Sequence, residues 1–588
     1  MDGYRLSKTL CIGILGLAIF LGMGATSLPA SSTAPPPEPG TGWQPKPEVR
    51  TQQYMAVTAH PLATRAAVDI LSRGGNAVDA AISAQLVLNL VEPQSSGIGG
   101  GAFLLYWDAA TKELHTLDGR ETAPAQADGN YFRRASGELL KWREARIGGR
   151  AVGVPGTLHL LSTAHTRFGQ TPWASLFDPA ISIAREGFQV TPRLSESIKS
   201  AAAALSQSPT AQKYFFTEES EALPAGYLLK NPEFAQALTR IAAEGPRAFY
   251  EGLIGQRLLA DLENTSELPA LITTEDLASY QTIARPAVCA PYRQYSVCGM
   301  GPPSSGALTV GQILGLLERF DLNSMGATAT SVHLVSEASR LAFADRGRYM
   351  ADSDFVSVPV QGLLDPAYLN QRSQLIEKAL SMGRASAGQP PGADLSLVAV
   401  DQPENSGTSH VSIVDRSGNI VSMTTTIESG FGSTIMTQGF LLNNEMTDFS
   451  FKDQDEGRPV ANRVESRKRP RSSMAPTIVF KSDGQPILVA GSPGGSRIIC
   501  YVTQALIGVL DWGLSPQDAV SMPHFCNRNG PTDFEPGSAA DVVDALSALG
   551  HETRIQEMNS GLHLIQILPD GTLRGGADPR REGVAAGE

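Results

Sequence analysis

Thr408 follows a glycine at the start of a strand-like segment, a setting in which a hydroxyl could become a nucleophile. Apolar positions between His410 and Val414 predict a buried strand. If the Gly407–Thr408 bond is cut, the freed α-amine, with a pKa of about 7.7–8.0, can take the proton from the hydroxyl. The same hydroxyl could make the cut by attacking the Gly407 carbonyl, since glycine tolerates strained geometry. Alone, however, the segment predicts only a strand.

Further along the chain, Gly494 and Gly495 follow Pro493 in a tight turn before an apolar helix. Backbone N–H groups approach a tetrahedral oxyanion closely only where no side chain intervenes, so this pair could supply an oxyanion hole. The alternative is a plain turn before the helix.

These segments occur in one order with several others, and together they resemble the γ-glutamyltransferase family of N-terminal-nucleophile hydrolases. The resemblance covers the chain from about Met55 to its end. The segments that carry it are 74–81, 97–103, 118–124, 154–156, 302–306, 343–346, 405–415, 441–449, 468–477 and 491–497. It implies an α+β fold, a four-layer αββα sandwich made from a precursor that cleaves itself. The implied parts are a large subunit of residues 55–407 and a small catalytic subunit of residues 408–588.

The resemblance also assigns roles around Thr408. Thr426 would hydrogen-bond the nucleophile, although it is also one more Thr in a strand. The residues expected to hold the donor α-carboxylate are Arg120, Ser472 and Ser473. A planar guanidinium suits a carboxylate through a bidentate pair. Those expected to hold the α-ammonium are Glu445 and Asp448. Outside the resemblance, Arg120 is equally a surface charge and Asp448 a turn cap.

Two departures from the family pattern concern the substrate pocket. The family's better-known members carry Asn where this chain has Glu428, so a third carboxylate is expected near the ammonium unless Glu428 is an exposed turn charge. The segment 451–467 is shorter than the lid of lidded members and has no Tyr, which predicts a more open pocket.

Helical periodicity over 62–71, 234–243 and 308–320 contrasts with strands that concentrate after Thr408. Asn76 and Asn231 are expected to cap helices, and a helix is expected over 497–510. This mixture predicts a layered α/β or α+β domain. The glycines at 97–101 lie after a helix and before a strand, the wrong order for a dinucleotide fold.

The N-terminus predicts export to the periplasm or outside the cell. Residues 1–27 combine Arg5 and Lys8 with a short apolar stretch and small residues, as in a signal peptide; the alternative is a membrane anchor. A Pro-rich linker is expected over 28–54. Cys289 and Cys298 bracket a predicted hairpin and could form a bridge in an oxidising compartment. Nothing local argues for pairing of the remaining cysteines beyond the leader, Cys500 and Cys526.

The net charge of −12 and the lack of a basic stripe exclude a nucleic-acid partner. No Cys/His spacing resembles a metal site, and no cofactor is expected. The resemblance implies a γ-glutamyltransferase or glutathione hydrolase that passes the γ-glutamyl group to water, an amino acid or a peptide amine. The alternatives are a glutaryl-type β-lactam side-chain acylase of the same superfamily and a catalytically silent binding protein.

Overall fold

The computed structural model describes residues 40–263, 268–400 and 407–588. Two seven-stranded sheets form its centre. The sheet that contains Thr408, called sheet I here, has the strand order Val584–Gly587, Met55–Thr58, Thr408–Val414, Ile420–Thr426, Gly101–Asp108, Glu113–Gly119 and Ile283–Arg285. Every neighbouring pair in it is antiparallel.

Sheet II packs face to face against sheet I and is also antiparallel. Its strand order is Val49–Thr51, Leu573–Ala577, His563–Ile567, Pro486–Gly491, Thr477–Lys481, Tyr295–Gly299 and Val288–Tyr292. Alternation along each strand sends one set of side chains to the partner sheet and the other to helices. Met55 and Val57 pack toward sheet II, whereas Val411 and Ile413 pack toward helices.

Helices cover the outer face of each sheet, so the fold is a four-layer αββα sandwich, as the resemblance implies. The helices beside sheet I include Pro61–Ser72, Ala77–Val91, Thr157–Phe168 and Asp178–Glu186. Those beside sheet II include Gly306–Leu317, Ala329–Tyr349, Ile498–Leu510 and Pro516–Ser521. Further helices span Trp142–Ala145, Pro192–Leu205, Pro209–Phe215, Pro232–Glu244, Arg247–Tyr250, Leu253–Glu263, Thr274–Ala278, Leu322–Met325, Val360–Leu363, Pro366–Ser373 and Ala540–Ala548.

Smaller elements complete the chain. The short antiparallel pairs are Phe188–Gln189 with Leu228–Leu229, Met436–Thr437 with Phe440–Leu441, and Gln454–Asp455 with Arg458–Pro459. A three-stranded sheet contains Phe525–Asn527, Thr532–Phe534 and Thr553–Ile555. The 3-10 helices are Gly149–Ala151, Trp173–Phe177, Glu445–Asp448 and Gly495–Arg497.

The predicted helix caps are confirmed, and several boundaries differ. Asn76 forms a capping box with Asp79, and Asn231 accepts the N–H of Phe234. The predicted linker over 28–54 is too long, because Val49–Thr51 already pairs with the strand Leu573–Ala577. The predicted leader lies outside the described residues. Among the residues described, no helix is both long and apolar enough to cross a bilayer.

Both cysteine pairs are joined. Cys289 and Cys298 lie opposite each other on the predicted hairpin and form a disulfide. Cys500 and Cys526 form a second bridge, which ties the helix Ile498–Leu510 to the strand Phe525–Asn527. No local pattern predicted this second pair, because its cysteines come together only through the packing of that helix.

Candidate active site

Thr408 is the first residue of a central strand of sheet I. The strand lies between Met55–Thr58 and Ile420–Thr426, and the register places Thr408 directly opposite Thr426. Thr408 is only 4 % exposed. A hydroxyl at the end of a central strand is held by both neighbours, so its position is well fixed.

The Thr426 hydroxyl contacts the bond that precedes Thr408. Its oxygen lies 2.5 Å from the Gly407 carbonyl oxygen and accepts the N–H of Glu428 at 2.7 Å. A hydroxyl has one hydrogen, which here goes to the Gly407 carbonyl. The resemblance places that hydrogen bond on the nucleophile itself; in this structure it is on the carbonyl that the nucleophile would attack.

The glycine pair lies at the start of the helix Ile498–Leu510. Gly494 has a φ of 135° and Gly495 a φ of 57°, both in the region that favours glycine. A Cβ on Gly494 would come within 2.6 Å of the Tyr501 ring. Gly495 opens a 3-10 turn, whose first N–H groups have no intrahelical acceptor, and the helix dipole places partial positive charge at the same end. Gly495 lines the cavity beside Thr408, and Gly494 precedes it in the turn.

Arg120 lies at the floor of this cavity and is not a surface charge, since only 1 % of its surface is exposed. Its guanidinium forms ion pairs with Glu445 and, at 2.5 Å, with Asp448. It also donates to the carbonyl oxygens of Pro470, at 3.2 Å, and Arg471, at 2.9 Å. The two backbone bonds orient the guanidinium, while the two acids neutralise it.

Glu121 is a further buried acid beside Arg120, and it lies close to Glu445. Glu445 begins the 3-10 helix Glu445–Asp448, and Glu121 lies with its carboxylate 3.7 Å from the Arg120 guanidinium. Burial raises the pKa of Glu445 well above its usual value, and the charges of Glu121, Asp448 and Glu428 add to that rise. Burial likewise raises the pKa of Glu121 to about 7, against the lowering effect of Arg120. Burial therefore favours the protonated form in this acidic pair, whereas the Arg120 guanidinium favours the charged form.

Glu428 lines the same cavity and is 5 % exposed, so it is not the exposed turn charge of the alternative interpretation. It has a φ of 78°, a left-handed conformation that is uncommon outside glycine. Backbone strain of this kind persists only where the surroundings hold it, which fits a side chain aimed at a site.

The structure brings together every predicted site residue. The small cavity, of about 30 Å³, is lined by Arg120, Thr408, Thr426, Glu428, Glu445, Asp448, Ser472, Ser473, Met474, Gly495, Ser496 and Ile498. Gly407 and Gly494 adjoin this set through the chain. Sequence reasoning missed Glu121, Met474, Ser496 and Ile498. The first three lie in or beside segments that carry the resemblance, where adjacency to Arg120, Ser473 and Gly495 was an available signal.

The short segment 451–467 packs beside the site and not over it. Phe451 stacks on Phe132, with ring centroids 4.0 Å apart. The hairpin of Gln454–Asp455 and Arg458–Pro459 follows it, and no residue of the segment lines the cavity. Most residues that line the cavity are themselves buried.

One group in the described part of the chain has metal-ligand types close together: His333, Glu337 and His551, all buried. Hydrogen bonds already use these atoms. His333 Nδ1 lies 2.7 Å from His551 Nε2, and Arg340 donates to Glu337 at 2.8 Å and contacts His551 Nδ1 at 3.2 Å. The Arg340 cation opposes a metal ion there, so the arrangement fits a hydrogen-bonded network.

The chain is similar to a known protein family and to several known proteins. The family model described as Gamma-glutamyltranspeptidase matches residues 63–588. The chain is 37 % identical to a glutathione hydrolase proenzyme of Bacillus subtilis (strain 168), over 91 % of each chain. It is 37 % identical to an Acylase ACY 1 proenzyme of Pseudomonas sp. (strain V22), over 90 % of this chain and 92 % of that one. The solved structure of a cephalosporin acylase from Bacillus halodurans superposes with a TM-score of 0.82 at 28 % identity, over 96 % of this chain and 99 % of that one.

Proposed function

This chain belongs to the γ-glutamyltranspeptidase family, and on that basis we propose that it is an exported γ-glutamyltransferase and glutathione hydrolase with Thr408 as its nucleophile. The observation that carries the proposal is the single cavity in which Thr408 lies beside one buried guanidinium and several carboxylates. A γ-glutamyl donor presents an α-carboxylate and an α-ammonium, so both charges of its head group meet a counter-charge there.

Maturation begins at the Gly407–Thr408 bond. The Thr408 hydroxyl attacks the Gly407 carbonyl carbon, the C–N bond breaks, and the acyl group moves to the oxygen as an ester. Water then hydrolyses the ester, which gives a carboxylate on Gly407 and a free α-amine on Thr408. The Thr426 hydroxyl, 2.5 Å from the Gly407 oxygen, would stabilise the negative charge that develops on it. The products are a large subunit that ends at Gly407 and a small subunit of residues 408–588.

In the mature enzyme the α-amine of Thr408 takes the hydroxyl proton as the oxygen attacks the γ-glutamyl carbonyl. The oxyanion that forms is stabilised by the N–H groups of Gly494 and Gly495 at the positive end of the helix Ile498–Leu510. Collapse expels the leaving amine, which takes the proton from the α-ammonium. The γ-glutamyl ester left on Thr408 is then attacked by water, for hydrolysis, or by the amine of an amino acid or peptide, for transfer.

Donor binding requires an exchange of ion pairs. Arg120, Ser472 and Ser473 would hold the donor carboxylate, and Glu428, Glu445 and Asp448 the ammonium. Because Arg120 already pairs with Glu445 and Asp448, the zwitterion would exchange these two internal pairs for pairs of its carboxylate with Arg120 and of its ammonium with the acids. Glutathione, whose first residue is a γ-linked glutamate, is the donor expected from the family.

Export is supported by the two disulfides, because such bridges persist in oxidising compartments. The periplasm or the cell exterior is the proposed location, with an N-terminal anchor as the alternative.

A second candidate function is a glutaryl-type acylase, favoured by the relatives named acylases. A glutaryl donor lacks the α-ammonium, so Glu428, Glu445 and Asp448 would have no counter-charge to bind. The test is a denaturing gel of the purified protein, followed by hydrolysis of γ-glutamyl-p-nitroanilide and glutaryl-p-nitroanilide. Two fragments and preference for the γ-glutamyl donor are expected. Preference for the glutaryl donor would support the acylase, and an uncut, inactive chain would favour a catalytically silent binding protein.

A further inference from the structure

Lys46 joins the beginning of the described chain to its end. Its ammonium donates to the main-chain carbonyl oxygens of Asp578, at 2.7 Å, and Arg581, at 2.6 Å, and also to that of Gly583. An ammonium has three hydrogens, so these three carbonyls use all of its donors. Lys46 therefore closes residues 578–583, called the C-terminal loop here, around a single nitrogen atom.

Lys46 keeps its charge at neutral pH in this setting. Burial lowers the pKa of Lys46 to about 8, while the charges of Asp578 and Glu582 oppose that lowering. The ammonium form, which alone has a hydrogen for each of the three carbonyls, therefore predominates at pH 7. The C-terminal loop is thus held by a charged donor, whose hydrogen bonds are stronger than those of a neutral one.

The C-terminal loop carries a side chain that contacts the main chain of the nucleophile. Arg581 is 1 % exposed, and its guanidinium donates to the carbonyl oxygens of Ser560, at 2.8 Å, and Thr408, at 3.4 Å. The loop also packs directly on sheet I, since a Cβ on Gly583 would lie 2.5 Å from the carbonyl oxygen of Thr58. The position of the loop therefore determines where the Arg581 guanidinium lies relative to Thr408.

A cut before Thr408 makes this contact more important. In the precursor, the peptide bond to Gly407 holds Thr408 on its N-terminal side. After the cut Thr408 is the first residue of a chain, and chain termini fray unless other contacts hold them. Its main-chain contacts then include the pairing with Thr426 and the bond from Arg581. Lys46 precedes the cut and Arg581 follows it, so the Lys46 ammonium acts from one fragment on the other.

We propose that Lys46 is a positioning residue that holds the C-terminal loop so that Arg581 keeps the main chain of Thr408 in place in the cleaved enzyme. This rests on the proposed function, which supplies the cut. Acylation requires the Thr408 hydroxyl to be aligned with the donor carbonyl, and a small displacement lowers the rate steeply. The C-terminal loop does not line the cavity that contains Arg120 and Glu445. Lys46 therefore acts on the rate of acylation and not on donor affinity.

The first test measures the single-turnover rate of p-nitroaniline release from γ-glutamyl-p-nitroanilide, with enzyme in excess over donor. Gel filtration first isolates protein that contains both fragments. The variants are Lys46→Met, which keeps the apolar stem but has no donor, Arg581→Met, and the two combined. Arg50→Met is the matched control, because Arg50 is a mostly exposed cation of the same N-terminal segment and pairs with Glu48.

Lys46→Met and Arg581→Met are each expected to lower the saturating rate by about 10- to 100-fold, with the half-saturating enzyme concentration within about twofold of the wild type. The double variant should lose no more than Arg581→Met, because both side chains act through one bond. Arg50→Met should match the wild type. A wild-type rate in Lys46→Met, a loss confined to donor affinity, or additive losses would overturn the proposal.

If Lys46→Met does not fold, Lys46→Arg is measured in the same way. A guanidinium keeps the charge, but its planar fork does not direct three hydrogens from one nitrogen, so part of the rate should be lost. An unchanged rate in Lys46→Arg would then overturn the proposal.

Amide hydrogen exchange tests the same role without turnover. In the cleaved enzyme, Lys46→Met should speed exchange at the start of the strand Thr408–Val414. In the uncut Thr408→Ala background it should change little, because the bond to Gly407 still anchors the strand. Equal acceleration in both backgrounds would mean general loosening and would contradict the positioning role. A cleaved wild type without γ-glutamyl turnover would overturn the proposed function and leave the exchange result to decide on Lys46, whereas an uncut wild type would overturn both.

Discussion

Arg120 and Glu445, each only 1 % exposed, form an ion pair at the floor of the cavity that Thr408 lines. The groups expected to recognise opposite ends of the donor head group therefore recognise each other. A buried charge without a partner is strongly unfavourable, so this pair keeps the site stable before the donor binds. The pair also disfavours donors with a single charge. Such a donor would disrupt the Arg120–Glu445 pair but offer a counter-charge to only one of the two residues.

Self-cleavage is expected to begin the small fragment at Thr408. Thr408→Ala should stay one chain, because it lacks the attacking oxygen. Thr426→Val should slow cleavage, since it loses the hydrogen bond to the Gly407 carbonyl, while Thr426→Ser should restore it. Denaturing gels over time and N-terminal sequencing of the small fragment provide the measurement. A fragment that starts elsewhere, or an active uncut chain, would contradict the assignment of the nucleophile.

Arg120→Lys should weaken use of a γ-glutamyl donor by about 1.5–3 kcal/mol in transition-state stabilisation. Lysine keeps the charge but loses the planar fork that binds a carboxylate through two parallel bonds. Precursor cleavage should be retained, because the proposed cleavage of the Gly407–Thr408 bond uses Thr408 and Thr426 and does not involve Arg120. The control is Arg134→Lys, because Arg134 forms a half-exposed ion pair with Glu144 on the surface. Unchanged kcat/KM in Arg120→Lys would reject the carboxylate assignment.

The KM of a γ-glutamyl donor should rise as pH falls. Burial, reinforced by the charges of Glu121, Asp448 and Glu428, raises the pKa of Glu445, so this carboxylate takes up a proton above the usual range for glutamate. The protonated site attracts the α-ammonium less. Glu428→Gln removes a like charge, which lowers the pKa of Glu445 and moves the rise in KM to lower pH.

The measurement for this prediction is KM against pH for the wild type, Glu428→Gln and the exposed control Glu456→Gln. The control profile should overlay that of the wild type. If the Glu428→Gln profile also overlays it, Glu428 does not interact with the ammonium site.

The two disulfides should differ in what they contribute to stability. Cys500 and Cys526 are 26 residues apart, whereas Cys289 and Cys298 are 9 apart. A longer closed loop removes more entropy from the unfolded chain, so replacing the Cys500–Cys526 pair by serines should lower the free energy of unfolding by about 1 kcal/mol more. Urea unfolding of the two double-serine variants, both in the Thr408→Ala background to keep one chain, checks this. An equal or reversed loss would mean that native-state contacts outweigh loop entropy.

Much of the site was predictable because its residues lie in short segments with distinctive composition. The strand after Gly407, the glycine turn and the Asn76 and Asn231 caps all follow from local chemistry. The pairing of Arg120 with Glu445 was not predictable, since 325 residues separate them and Arg120 alone could also be read as a surface charge.

Two other elements were not identified individually, one because of its burial and one because of its composition. The helix Ala329–Tyr349 is buried along most of its length, so it has no polar face to give a helical period. The strand Val584–Gly587 is mostly alanine and glycine, which lack the β-branched signal of a strand, and it forms by pairing with Met55–Thr58.

The interleaving of the strands determines what a cut before Thr408 does to the molecule. Sheet I alternates between the two parts, with Thr408–Val414 and Val584–Gly587 on either side of Met55–Thr58, and sheet II draws strands from both as well. The nicked protein stays together without a covalent link, but its unfolding releases two molecules where the precursor releases one. Its melting temperature should therefore rise with protein concentration, and its refolding should depend on encounter between fragments. Self-cleavage before Thr408 would thus change the molecularity of folding and make the mature protein an obligate heterodimer derived from one gene product.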